Sequence, residues 1–447
     1  MRARVRGSSS TSSSRLSWFV RSVALLSILV TAPGPSAALG GGDDVEELHE
    51  RAVRHYERGE FREALELFEK ALALAPEEEA IRVSLGRTCV ALAAQLLDQG
   101  GDDPRVVEHA SGLLKRGLLH WDGDAGTHEL LALIALRGDR LAEAEGSLER
   151  AVALDPEAVR AWKLLGIVRD RRGRTAEALA ALERAAELRP TDEDVAKRLR
   201  RLRSDAETVA AGRPLESARF RVYVPSAVPL DRARAVVALL ERTAEELESR
   251  WGGEAPRGIE VILYPPGEFS RRTGFAEEIG GAFDGRIRIA FPQELTEGGL
   301  TLEQVVRHET AHLYLHRLPG GLPRWLDEGL AQWVDGGERA DWGERFLAGG
   351  GGAADIGLGE RERTAEHEAP AAWAGLYLHS YLFIRHLEEA HGRFRVDLLV
   401  RRLGRGVPVD AAFVAVYGEE PVGLDRAWRR TLRAQPDPLK EPPPGGR

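Results

Sequence analysis

The segment His308-Glu309-Thr310-Ala311-His312 sets two imidazoles four residues apart with a carboxylate beside the first. On an α-helix residues i and i+4 share a face, so both imidazoles can converge on one cation while Glu309 stands on a neighbouring face, within reach of a water on that cation. Metal-assisted hydrolysis needs this arrangement: ligands that hold a dication and a base that takes a proton from water. Upstream, Thr301-Leu-Glu-Gln304 reads as a capping box, so the helix starts there.

A cation held by two imidazoles needs a third ligand. Pro319-Gly320-Gly321 stops the motif helix, Pro323 opens another, and Arg324 to Val334 reads as a helix that folds back beside it. On that helix Glu328 and its neighbour Asp327 compete for the third position, and Gly329 permits close packing of the two helices. His316 lies one turn beyond His312. A three-histidine site needs its last histidine six residues after the second, where this chain has Leu318, so His316 reads as a surface or supporting residue. Cys89 is the only cysteine, which excludes an intramolecular disulfide and a thiolate metal cluster.

The elements around the motif alternate in period. Phe220 to Val224 and Ile259 to Tyr264 read as strands, with a helix from Asp231 to Trp251 between them. Gly285 to Phe291 is a third strand, with Arg286 and Arg288 on one face and Ile287 and Ile289 on the other. At a sheet edge it would pair with an extended substrate backbone; an interior strand is the alternative. Strands followed by the motif helix describe an α+β domain.

Before Pro214 the pattern is different. Ala52, Gly59, Ala64, Phe68, Ala71 and Pro76 recur, in the same order of sizes, as Gly166, Gly173, Ala178, Leu182, Ala185 and Pro190, and again from Leu131 to Pro156. These segments resemble tetratricopeptide repeats over 45–203, with a divergent repeat at 81–124, and the resemblance implies a concave face that binds protein or peptide. Lys197 to Arg203 reads as a solvated cap and 204–216 as a linker. At the N-terminus five arginines precede the uncharged run from Ser22 to Ala32, and Ser36-Ala37-Ala38 follows. This is the order of a signal peptide over 1–38. Residues 433–447 read as a disordered tail, and Gly349 to Gly352 as part of a mobile loop.

The segments Gly285-Arg286-Ile287, His308 to His312, Pro323 to Ala331 and Tyr377 to Leu387 resemble gluzincin metallopeptidases, most closely bacterial peptidase MA-like domains, over 217–432. The resemblance implies a zinc ion held by His308, His312 and Glu328, with Glu309 as general base. It also implies Tyr377 as hydroxyl donor to the oxyanion, His379 and Tyr381 being alternatives. In one place the chain departs from the pattern: it has Gln332 where better-known gluzincins carry an acid that supports one histidine.

The composition is that of a folded soluble protein, with 43% hydrophobic and 30% charged residues, and the formal charge of -9 argues against binding nucleic acid through a basic surface. The expectation is a multidomain chain, an all-α tetratricopeptide-repeat solenoid followed by an α+β zincin-like metallopeptidase domain. It would act as an exported zinc-dependent endopeptidase, periplasmic or extracellular, whose repeats recruit a protein substrate or partner. The competing expectation is an inactive peptidase fold serving as a binding scaffold in the cell envelope, tethered to the membrane if the N-terminal segment is retained.

Overall fold

The computed structural model describes residues 43–100, 104–138, 140–254, 257–265, 267–275, 280–291, 301–337, 346, 357–365 and 370–434. The segment that reads as a signal peptide, residues Gly349 to Gly352 and the residues beyond Ala434 lie outside the described residues. The chain divides into two compact units, Met1–Arg169 with Ala176–Asp192, and Asp170–Thr175 with Glu193–Arg447.

The first unit is built from helix pairs: α1 (Asp43–Glu57) with α2 (Phe61–Leu74), α3 (Glu79–Gly100) with α4 (Pro104–Leu118), α5 (Ala125–Arg137) with α6 (Leu141–Leu154), and α7 (Val159–Arg171) with α8 (Thr175–Leu188). Alanines fill the places where helices approach closely: Ala52, Ala64, Ala71, Ala144, Ala151, Ala161, Ala178 and Ala185 are all fully buried. Larger residues such as Phe68, Leu148 and Leu165 occupy the gaps between them. The divergent stretch 81–124 is also a helix pair. Its α3 is long and apolar enough to cross a membrane by length and composition, but Leu85, Cys89, Ala93 and Leu97 are buried in the core of this unit.

The second unit opens with α9 (Glu193–Ala211), followed by β1 (Arg213–Glu216), β2 (Phe220–Val224), α10 (Leu230–Trp251), β3 (Ile259–Tyr264), α11 (Phe269–Thr273), β4 (Gly281–Phe283) and β5 (Ile287–Ala290). The strands form one sheet in the order β1-β2-β3-β5-β4, with β2, β3 and β5 parallel and the outer strands β1 and β4 antiparallel to their neighbours. One face carries Val222, Val261, Leu263, Ile287 and Ile289 against Val236, Leu240 and Leu247 of α10 and Val306 of the motif helix. Burying that face drives the motif helix onto the sheet.

Two readings are resolved here, the first as a correction. Residues 204–216 are not a linker: they continue α9 and then enter the sheet as β1. The cause is a buried ion pair. Asp205 on α9 and Arg288 on β5 are both 0% exposed and meet at 2.6 Å, and the Tyr264 hydroxyl donates to the same carboxylate. Such a pair persists in a core only when each charge has its partner. Accordingly, the charged run from Lys197 to Arg203 is solvated on one side only; Leu199 and Leu202 are buried, and Arg201 reaches Asp284 at 2.9 Å. The second concerns the sheet edge. The strand β5, which carries Arg288 and begins just after Arg286, is interior, flanked by β3 and β4, and β4 is the outer strand of the described sheet.

Among the described residues seven helices follow: α12 (Leu302–Leu315), α13 (Arg324–Asp335), α14 (Leu358–Ala365), α15 (Pro370–His391), α16 (Arg393–Leu403), α17 (Val409–Tyr417) and α18 (Pro421–Ala434).

Candidate metal centre

Helix α12 starts where its capping box requires. The amide of Gln304 donates to Thr301 Oγ1 at 3.1 Å, and the amide of Thr301 donates to Gln304 Oε1 at 2.7 Å. Helix α13 starts after Pro323, whose fixed φ suits a helix entry. The two helices pack side by side, and Arg307 Nε donates to the Val334 carbonyl at 2.9 Å, pinning the end of α13 to the first half of α12. Gly329 serves a different neighbour from the one expected. A Cβ there would stand 3.0 Å from the Ser380 carbonyl, so its small size seats α13 on α15, not on the motif helix.

This packing brings His308, His312 and Glu328 together. The two Nε2 atoms lie 3.1 Å apart, and Glu328 Oε2 lies 3.8 Å from His308 Nε2 and 4.0 Å from His312 Nε2. A point equidistant from three atoms so spaced lies about 2.1 Å from each, which is the zinc–imidazole bond length. The hydrogen bonds on the far sides of the rings set the tautomers. His312 Nδ1 faces Asp327 Oδ1 at 3.1 Å, and His308 Nδ1 faces Asp335 Oδ2 at 3.4 Å. Both Nδ1 atoms therefore donate, which turns both Nε2 atoms toward each other and toward Glu328 Oε2. Once the Nε2 atoms are deprotonated, these three atoms offer lone pairs to one point, so the donor set fits a divalent metal.

His312, His316 and Asp327 form a second cluster within ligating distance. Asp327 is already engaged there on both oxygens, accepting from His312 Nδ1 and, at 3.0 Å, from His316 Nε2. Asp327 thus bridges His312 and His316, while Glu328 faces the Nε2 atoms of His308 and His312. Burial disfavours the Asp327 carboxylate, but the two histidines outweigh burial and hold it well below the usual carboxylate range. Burial likewise disfavours a charged His312; Asp327, with Glu328 and Glu309 behind it, overcomes that and lifts the imidazole to about 9 in the metal-free site.

Glu309 is 4% exposed. Burial pushes its carboxyl up, the two histidines oppose that shift, and Glu328 adds to it. Its neighbour is the outer strand: a Cβ on Gly281 of β4 would come within 2.8 Å of Glu309 Cγ and Oε1. Only glycine lets that strand pass so close to the carboxylate.

Tyr377 on α15 hydrogen-bonds Arg324, and its hydroxyl is pushed up to about 12 by burial and the nearby charge of Glu328. The two alternatives to Tyr377 are committed elsewhere. His379 Nε2 meets Asp425 Oδ1 at 2.6 Å, and the Tyr381 hydroxyl donates to the Gly337 carbonyl at 3.0 Å. Asp335 was not foreseen. It lies seven residues after Glu328, two turns along the same stripe of α13, so an antiparallel neighbour of α12 places it beside His308. It takes the part that an acid at position 332 would have played.

Residues 298–434 match the Peptidase MA superfamily, and residues 45–78 and 129–193 each match a tetratricopeptide repeat family. The chain carries tetratricopeptide repeats followed by a Peptidase MA superfamily domain. The Peptidase MA match takes in every ligand and base candidate named above and ends at Ala434, where the described chain ends. No curated protein matches the chain. Among solved structures it is similar to MamA, at 20% identity over 36% of this chain and 81% of that chain with a TM-score of 0.27. YrrB, described as a TPR protein with an unusual peptide-binding site, matches at 18% identity over 37% and 78% with a TM-score of 0.29. A thermophilic TPR protein of Thermus thermophilus matches at 23% identity over 35% and 96% with a TM-score of 0.22.

Proposed function

We propose that this chain is a zinc-dependent endopeptidase. The observation that carries the reading is the convergence of His308 Nε2, His312 Nε2 and Glu328 Oε2 at mutual distances of 3.1 to 4.0 Å, with both other imidazole nitrogens anchored on carboxylates.

Those three residues would hold the zinc, which when bound supplies a Lewis acid and lowers the pKa of an adjacent water. Glu309 takes a proton from that water and returns it to the departing amine nitrogen. Its burial favours the protonated form that the second transfer needs. Tyr377 donates its hydroxyl proton to the developing negative oxygen of the scissile carbonyl; pushed up to about 12, it remains a proton-bearing donor at neutral pH. An extended substrate adds to the outer strand β4, and the close passage of Gly281 brings its backbone beside Glu309. Asp327 and Asp335 fix the imidazole orientations. The N-terminal segment directs export to the periplasm or beyond, and the repeats recruit a protein substrate or partner.

Digestion of casein by the zinc-loaded full chain, compared with its Glu309→Gln variant, tests the reading. The expected result is a drop of about 10²–10⁴-fold in the variant with zinc content unchanged. Equal hydrolysis by the two proteins removes Glu309 as the base, and no hydrolysis by the zinc-loaded wild type removes the enzyme.

A further inference from the structure

Several arginines buried or half-buried in the second unit are neutralised by acids, whereas the exposed Arg324 is not. Arg219 meets Glu241 and Glu248, Arg250 meets Glu246 and Asp397, and Arg288 meets Asp205 and Asp284. Arg324, at the start of α13, is held in another way. Its guanidinium lies over the Trp373 ring, with Cζ 4.4 Å from the ring centroid, and 5.9 Å from the centroid of Tyr377, whose hydroxyl it hydrogen-bonds. The nearby Glu362 carboxylate accepts from the Arg324 backbone amide at 2.8 Å. Among the described residues no carboxylate lies within ion-pairing distance of the Arg324 side chain.

Stacking on an indole fixes the guanidinium plane and covers its face, while the N–H edge stays available. That edge is the fork that grips a carboxylate through two parallel hydrogen bonds. Arg324 is exposed, so an incoming group can reach it. Its position is set by the site: it stands four residues before Glu328 on α13, one turn of the same face, and Tyr377 feels both residues. The acids nearest the centre are otherwise occupied, Asp327 by two imidazoles and Glu328 in the ligand triangle.

We infer that Arg324, stacked on Trp373, is a specificity determinant that grips a substrate carboxylate close to the scissile bond. The inference rests on the peptidase reading, not on the cut being internal, and names the substrate class: peptides with an acidic side chain or, where the cut falls near the chain end, a free C-terminal carboxylate. One helical turn is about 5.4 Å and an extended peptide advances about 3.3 Å per residue, so the carboxylate belongs within about two residues of the cleaved bond.

The test uses four pools of randomised hexapeptides, with a fixed central Glu or Gln and a free or amidated C-terminus. Binding is measured on the zinc-loaded full-length Glu309→Gln chain, with and without Arg324→Gln, and turnover on the wild type and on Arg324→Gln. The expected result is an acid-over-amide preference on the order of tenfold in Kd and KM, at the side chain or at the terminus, which falls to near one in the Arg324→Gln background. Which pair of pools shows it tells side-chain from terminal recognition. Because the preference is a ratio within one preparation, a partly misfolded variant does not mimic its loss. Equal binding of all four pools, no binding of any, or a preference that survives Arg324→Gln overturns the inference. Pools that bind with the acid preference but are never cut by the wild type overturn the peptidase reading and leave the anion site standing.

Discussion

The two units place their charges in opposite ways. In the repeats many of the ion pairs run along exposed helix faces at i,i+3 or i,i+4 spacing, as in Arg54–Glu50, Arg140–Glu143 and Arg184–Glu187, over a core of alanine and leucine. In the second unit charges are drawn inside: Asp205 with Arg288 under the sheet, Asp425 with Arg429 and His379, and Asp335, Glu309 and His312 at the metal centre. Stacked helix pairs need only apolar burial and shape to hold together. A site that must fix two rings and a carboxylate within tenths of an ångström uses buried polar partners, whose loss is costly because a charge is then left alone.

Removing one member of a buried pair should break that contrast most visibly. Asp205→Asn leaves Arg288 without its main counter-charge, and urea unfolding of the full chain should show the second unit destabilised by about 3–5 kcal/mol. A change under about 1 kcal/mol would mean the pair is not buried as described. Among the described residues of the repeats two acids are nevertheless buried, Glu145, which meets Arg169 at 3.0 Å, and Glu129. Glu129 is buried, its Oε2 has no hydrogen-bond partner, and Arg160 Nε stands 3.9 Å away, so burial lifts the carboxyl from 4.5 to about 7. The folded state therefore binds this proton more tightly than the unfolded state does. Stability of the repeats should fall by about 2–3 kcal/mol as pH rises from about 4.5 to about 7, and Glu129→Gln should flatten that slope. Denaturation midpoints at pH 5 and pH 8 that differ equally in both proteins would contradict the assignment.

Next in size is the carboxylate behind His308. Asp335→Asn keeps the shape of the side chain and weakens its hold on Nδ1, and zinc affinity should drop about 10- to 100-fold. Truncation of the other candidate, Gln332→Ala, should leave affinity within about threefold, since the supporting acid is Asp335. If Gln332→Ala proves the more damaging, the roles are reversed. The smallest effect belongs to the surface: Arg184→Ala in the repeats should shift the unfolding free energy by less than about 0.5 kcal/mol.

The parts of this arrangement that were legible in the sequence are local ones. The capping box at Thr301, the i,i+4 histidines and the helix break at Pro319 to Gly321 each depend on neighbours within a turn or two, and each stands where the residue order puts it. The helix-pair pattern of the repeats is similarly local. What was hidden depends on registers between distant segments. Asp335 supports His308 from 27 residues away, and only the antiparallel seating of α13 on α12 brings them together. The place of the Arg288 strand in the sheet was not legible, because its partner Asp205 lies 83 residues upstream in a stretch that read as a linker. Gly329 was legible as a close-packing position, but the helix it meets was not, because the choice between α12 and α15 is made by tertiary packing.

The central claim is that Glu328 completes a site with His308 and His312. Equilibrium zinc binding by the full chain, wild type against Glu328→Gln, measures it most directly. The account predicts one tightly held zinc per wild-type chain and its loss in the variant; a variant that holds zinc as tightly as the wild type would show that the carboxylate is no ligand.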